Sequence, residues 1–261
     1  MARPRVLVLR APGTNCDQET AFAFEQAGGL AQVAHVNRLL DNPQMPAEFQ
    51  ILCIPGGFSF GDDIAAGKIF ANLIRHHLRE TLAEFQAAGK LILGICNGFQ
   101  VLIKSGLLLA DAEEGPPATL MWNDSGKYED RWVRLQAESQ KCVFLQGIAG
   151  LELPVAHAEG KFVTRDHQTL AQLESQHQLC LRYDGRQCEG QRRAQIAYPE
   201  NPNGSQANVA GVCDQTGRVF GLMPHPERHI DPTHHPQWTR RPVRQQGDGM
   251  QIFRNAIQYF A

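Results

Sequence analysis

The chain has 261 residues, with 25 Lys and Arg against 27 Asp and Glu and a formal net charge of −2. That length suits one large α/β domain, 1–261, able to bury most of its apolar surface without covalent staples. Without a basic excess or an apolar run of about 18 residues, neither a nucleic-acid-binding class nor a membrane-spanning one is expected.

The chain enters at once on an apolar strand, Arg5 to Arg10, with no signal-peptide pattern before it. Thr14, Asn15 and Asp17 can each cap the helix that follows. Its inward face reads Ala21, Phe22, Phe24 and Ala27, and Gly28-Gly29 ends it. A second short strand spans Gln32 to Val36. Leu39 to Glu48, with two prolines, is a connection. Ile51 to Ile54 is a third strand, cut off by Pro55-Gly56-Gly57, and one helical stretch is expected from about Ala65 to Ala88. Lys90 to Gln100 reads as a buried strand, a sharp turn and a helix start. Strands alternating with helices predict a doubly wound, mostly parallel sheet flanked by helices. Ligands bind such sheets beyond the carboxyl ends of the strands, the edge from which the loops after Leu9, Ile54 and Ile95 leave.

Beyond Gly106 the pattern changes to shorter apolar runs, at 132–135, 179–181, 195–198, 209–212 and 219–222, with turns at Asn203-Gly204 and Gln215-Thr216-Gly217. These predict antiparallel hairpin additions in the C-terminal half. Arg228 to Gly249 is polar and proline-rich, without a helix or strand period. A last helix is expected from Asp248 to Tyr259, with Met250, Ile252, Phe253, Ile257 and Phe260 inward. Seven cysteines (16, 53, 96, 142, 180, 188 and 213) include no C-x-x-C pair. Reduced thiols in a cytoplasmic protein are therefore expected, rather than a zinc or disulfide framework. His234-His235 has no carboxylate or cysteine at useful sequence spacing, so no metal site is expected there.

Three stretches carry chemistry. Gly94 and Gly98 flank Cys96 two residues away on each side, the nucleophile-elbow pattern with Cys for Ser. The sulfur then sits at a helix N-terminus, where the positive dipole end favours thiolate. Taken alone, the stretch also fits a core cysteine between structural glycines. Pro224-His225-Pro226-Glu227-Arg228 follows the last strand run. Residues two apart in extended chain share a side, so His225 can act as base with Glu227 holding its ring. Gly56-Gly57-Phe58 lies just past a strand, where backbone N–H groups of Gly57 and Phe58 can face an oxyanion together with the N–H of Asn97. A purely structural turn is the alternative. Neither phosphate-loop pattern is satisfied there.

Together with Arg10 to Asp17, Pro154 to Gly160 and the closing helix, these stretches resemble the class I (triad-type) glutamine amidotransferases. More narrowly, the chain is similar to the glutaminase subunits of phosphoribosylformylglycinamidine synthase. Its departures, Ala158 where Gly is common and Phe60 where Tyr is, are small. The resemblance implies a Cys96–His225–Glu227 triad that releases ammonia from glutamine, with Gly56, Gln100 and His157 in the substrate pocket. It implies no cofactor in this chain. ATP and magnesium are expected in a large synthetase subunit that converts formylglycinamide ribonucleotide, and a small accessory subunit is expected beside it. The basic Ile230 to Gly247 segment is a docking loop for that assembly on this reading. The alternatives are a glutaminase for a different synthetase, a stand-alone elbow-cysteine hydrolase, or a non-catalytic binding module.

Overall fold

Short, apolar stretches dictate the central layer. The computed structural model describes residues 3–111, 113, 115–138, 140–185 and 195–261; Cys188 lies outside them. In chain order the strands are β1 (Arg5–Arg10), β2 (Leu30–His35), β3 (Ile51–Ile54), β4 (Leu91–Ile95), β5 (Ala118–Met121), β6 (Glu129–Ala137), β7 (Gly150–His157), β8 (Lys161–Thr164), β9 (Leu181–Tyr183), β10 (Val209–Cys213) and β11 (Val219–Leu222). The helices are α1 (Asp17–Gln26), α2 (Val36–Asp41), α3 (Lys68–Leu73), α4 (Arg79–Ala87), α5 (Asn97–Ser105), α6 (His167–Ser175) and α7 (Met250–Gln258). Among the described residues, nine strands form one sheet in the order β2-β1-β3-β4-β11-β10-β9-β6-β7. The pairs from β2 through β11 are parallel, and β10, β9, β6 and β7 extend the sheet antiparallel. β5 and β8 form a separate hairpin-like pair.

The mixed sheet follows from burial. β3 and β4 are buried at every position, as continuous apolar runs covered on both faces must be. β6 and β7 alternate buried with partly exposed residues, the period of a sheet with one wetter face. α1 packs on α7 through Phe24 and Phe253, whose rings meet edge to face 4.9 Å apart.

Several local expectations fail, each for a physical reason. Phe22 is 52% exposed, so the inward face of α1 is Thr20, Ala21, Ala23 and Phe24. None of the three predicted side chains caps α1. Cys16 holds that position, while Thr14 Oγ1 accepts from the Ala11 N–H and Asp17 pairs with Arg10. The long helix from 65 to 88 is broken. Gly67 starts α3 in a left-handed conformation, Ile74–Leu78 form a wide π turn, and Leu78 leaves helical geometry before α4 begins. The connection after β2 contains α2, whose N–H at Asn37 is capped by His35 Nδ1. Residues 195–198 form no strand, because the Ile196 N–H is taken by the Asn208 side chain instead of a ladder. As expected from its lack of a helix or strand period, the proline-rich 228–249 segment holds only short 3-10 turns. His234 and His235 part company there: His234 is exposed, whereas His235 is buried against Trp132 and approaches Glu152 Oε1 at 3.4 Å. The fold thus brings that histidine the carboxylate its sequence neighbourhood lacked.

Candidate active site

β4 and β11 lie side by side and parallel, so the residues following each emerge at the same carboxyl edge. Cys96 directly follows β4, with φ 50° and ψ −104°, a conformation that a non-glycine residue adopts only under constraint. The constraint is visible. The Cys96 N–H donates to Leu222 O at 2.8 Å, and Gln100 N–H donates back to Cys96 O to begin α5. A Cβ on Gly98 would stand 1.8 Å from Ile54 O, so α5 can seat against the end of β3 only with glycine there. The Cys96 sulfur faces the β7 edge, 3.6 Å from Ala156 O.

His225 follows β11 by three residues. Its backbone N–H donates to Pro154 O at 2.8 Å, and Pro226–His229 then curl into a 3-10 turn. Glu227 therefore reaches the ring through that turn rather than by extended alternation. Its Oε1 lies 2.5 Å from His225 Nδ1, and both residues are 2% exposed. Burial disfavours the imidazolium, but the carboxylate of Glu227, reinforced by the Cys96 and Cys16 sulfurs, holds the His225 pKa well above the ordinary histidine range. Among the described residues, Nε2 of His225 has no hydrogen-bond partner in ordinary geometry, although both sulfurs are close enough to bias its charge. This is the arrangement of a proton carrier held by one nitrogen and open at the other.

The loop after β3 supplies the opposite wall. Gly57 (φ +139°) bridges to Thr14, and a Cβ there would meet Asn15 N at 2.7 Å. The Phe58 N–H donates to Gly13 O at 3.0 Å, whereas the Gly57 N–H meets no acceptor among the described residues. Gly57 and Asn97, at the first turn of α5 where N–H groups lack intrahelical partners, thus present the open donors of the three proposed from sequence. Gly56 is a spacer: a Cβ would stand 2.7 Å from His225 Cε1. Gln100 has both ends of its amide engaged, accepting from Asn97 Nδ2 at 2.9 Å and donating to Glu159 O at 2.6 Å. His157 is 3% exposed and shares a 3.1 Å contact between Nδ1 and Asn123 Oδ1, while its Nε2 is unpartnered among the described residues. Burial, and then the nearby charge of His225, push its pKa down to about 3.

Sequence reasoning missed two parts of this edge. Cys16, given no role of its own within the Arg10 to Asp17 stretch, packs beside His225 and is 1% exposed; Arg228 Nη2 lies 3.2 Å from its sulfur, and Arg228 Nε donates to Glu19. A cysteine in a loop leaving the same sheet edge was the available signal. The second is a polar brace. Asn97 donates to Asp62 and accepts from the Ser59 N–H, and Glu159 accepts from the Ala66 N–H and pairs with Lys104 at 3.6 Å. It ties the 58–67 loop, which carries left-handed Phe60, Asp62 and Ile64, to the elbow. Phe58 and Tyr128 stack at 6.4 Å, both about half exposed, at the mouth.

Comparison with known proteins finds relatives over nearly the whole chain. The model of the CobB/CobQ-like glutamine amidotransferase domain matches residues 3–260. A phosphoribosylformylglycinamidine synthase subunit PurQ from Dehalococcoides mccartyi is 44% identical over 99% of this chain and 98% of its own length. A protein of the same name from Methanococcus maripaludis is 41% identical over 98% of this chain and 97% of its own. Among solved structures, a chain in the structure of PurLQS from Thermotoga maritima superposes with a TM-score of 0.74 at 30% identity, covering 100% of both chains. A glutamine amidotransferase from Thermotoga maritima shares the fold, with a TM-score of 0.51 at 15% identity over 92% of this chain and 82% of its own.

Proposed function

The chain belongs to the CobB/CobQ-like glutamine amidotransferases, within the group of phosphoribosylformylglycinamidine synthase PurQ subunits, and on that premise we propose how its residues act. It is an amidotransferase subunit of that synthase, serves purine biosynthesis and takes glutamine as amide donor. Cys96 Sγ attacks the side-chain amide carbon of glutamine. His225 takes up the thiol proton and delivers it from Nε2 to the departing ammonia, leaving a glutamyl thioester on the sulfur. The same nitrogen then removes a proton from water, which hydrolyses the thioester and releases glutamate. Glu227 fixes the ring tautomer and supports the imidazolium in between.

The N–H groups of Gly57 and Asn97 receive the oxyanion, with the Phe58 N–H joining only if it leaves Gly13 O. Removing one such donor costs about 3 kcal/mol in comparable sites. Gly56 gives the substrate and the His225 ring their clearance. His157, held neutral by burial, lines the pocket, and Gln100 positions the elbow from behind it. Ammonia passes to a large synthetase subunit that amidates formylglycinamide ribonucleotide with ATP and magnesium, with a small accessory subunit in the same complex. We place this chemistry in the cytoplasm. Six described cysteines are free, and no helix among the described residues is long and apolar enough to cross a membrane.

The observation that carries the reading is the buried His225–Glu227 pair just beyond β11, the strand next to the one that ends at the strained Cys96. The test is synthesis by the complex with formylglycinamide ribonucleotide and ATP, fed either glutamine or ammonium. Cys96→Ser should abolish glutamine-dependent synthesis and leave ammonium-dependent synthesis intact. Glutamine use that survives the substitution refutes the role of Cys96.

A further inference from the structure

A second cluster of thiols lies toward the opposite end of the strands from Cys96, and the amidotransferase reaction makes no use of it. Cys142, Cys180 and Cys213 come from three separate segments, yet their sulfurs all lie within 4.8 Å of one another. Cys142 precedes the short turn Val143–Leu145, Cys180 precedes β9, and Cys213 ends β10. Cys213 pairs with Phe220 near the start of β11, so the cluster sits toward the sheet edge opposite the triad. All three side chains are 0% exposed.

The cluster is held by its backbone. The Val143 N–H donates to Gly217 O, the Cys213 N–H to Gln178 O, and the Glu138 N–H to Cys180 O, each at 2.9 Å. Gln178 Nε2 returns a bond to Cys213 O at 3.0 Å. Beyond the thiol–thiol contacts the three make with one another, the sulfurs have weak partners: Cys180 Sγ reaches Gly211 O only at 3.7 Å, and Cys213 Sγ reaches His177 O only at 3.9 Å. Three soft donors therefore converge on one another, held in place by their backbone and without a strong partner outside the trio among the described residues.

The geometry points to a site for one thiophilic d10 cation, bound by the sulfurs of Cys142, Cys180 and Cys213. No histidine or carboxylate among the described residues joins the trio, and an all-sulfur set selects soft ions over magnesium, calcium or manganese. Binding replaces the thiol protons with the metal and releases them to solvent. Two ions share this chemistry. Cu+ accepts three sulfurs as they stand but leaves the thiolate set with two negative charges. Zn2+ leaves one, which Lys141 nearby helps to balance against Asp214, and takes a fourth ligand such as the His177 carbonyl.

The test uses the full chain, reduced, stripped with chelator and kept free of oxygen. Zn2+ and Cu+ are each titrated against a chromophoric competing chelator, and Co2+ is added as a spectroscopic stand-in for zinc. The expected result is one equivalent of Zn2+ or Cu+ bound, with a thiolate-to-cobalt charge-transfer band in the Co2+ arm where zinc is the ion. Cys213→Ser should weaken binding beyond the roughly 10–100-fold that loss of an outer partner costs, while Cys16→Ser and Cys96→Ser retain it. Should Cys213→Ser fail to fold, X-ray absorption on the metal-loaded wild type decides. Three sulfur neighbours at about 2.3 Å support the zinc site, three sulfurs around copper support the Cu+ site, and fewer than three overturn it. The inference is also overturned if neither ion competes with the chelator, or if binding survives Cys213→Ser and is lost with Cys16→Ser.

Discussion

Gly56→Ala tests the placement of the base without touching a triad residue. Gly56 has no left-handed backbone conformation, so alanine adds only a methyl group. That methyl would stand 2.7 Å from His225 Cε1 and 3.1 Å from Cys16 Sγ, where ordinary contact begins at 3.4 Å. The ring must therefore move by about 0.7 Å (3.4 less 2.7) or the loop must retreat by as much. The ring is held by Glu227 at 2.5 Å through Nδ1, the atom next to Cε1, so a shift lengthens that bond or misaims Nε2. Misplacements near 1 Å cost roughly 10²-fold, about 2.7 kcal/mol in the barrier. The assay is glutamine-dependent synthesis by the complex, with KM and kcat separated, alongside alkylation of Cys96 and thermal unfolding. The expected result is a kcat lowered about 100-fold, with Cys96 still alkylated and the fold intact. A kcat within about threefold of wild type, in a folded protein, would show that Gly56 is not the spacer for His225.

Gly98→Ala should destabilise the whole protein, since its methyl would lie 1.8 Å from a backbone carbonyl. The cost is about 3 kcal/mol, a fall of roughly 6–12 °C in Tm, and an unchanged Tm refutes the close approach of α5 to β3. The raised pKa of His225 gives stability that is full below the unfolded value, near 6.5, and is lost as pH rises through the folded one. Urea denaturation across neutral and alkaline pH should show that loss, and Glu227→Gln should move it to lower pH while reducing kcat on the order of 10³–10⁴-fold. His157 has the opposite sign. Its folded pKa of about 3 means that stability is full above about 6.5 and falls as pH drops toward 3. That loss amounts to at most about 5 kcal/mol, and His157→Gln should flatten the acid limb of the stability curve.

The Cys96 turn and the His225–Glu227 pair were legible because each is local in sequence. Two glycines bracket Cys96 within five residues, and His225 and Glu227 share one proline-framed turn. The parallel half of the sheet was legible too, because buried strands such as Leu91–Ile95 read as unbroken apolar runs. What escaped depends on distant contacts. Cys16 meets His225 only because β1 and β3 bring their loops together through the Thr14–Gly57 bridge. The break at Ile74–Leu78 lies in a stretch whose helix propensity is ordinary throughout. The three buried thiols escaped a search for C-x-x-C because their spacing is set by β9, β10 and a turn.

The central claim is that Cys96, and not the neighbouring Cys16, carries the glutamyl group. Incubating the complex with isotopically labelled glutamine, quenching in acid during turnover and mapping the modified peptide addresses it directly. The expected result is a label on the peptide containing Cys96, absent in Cys96→Ser and accumulating in a variant slowed at thioester hydrolysis. A label on the Cys16 peptide, or turnover of glutamine by Cys96→Ser, would contradict it.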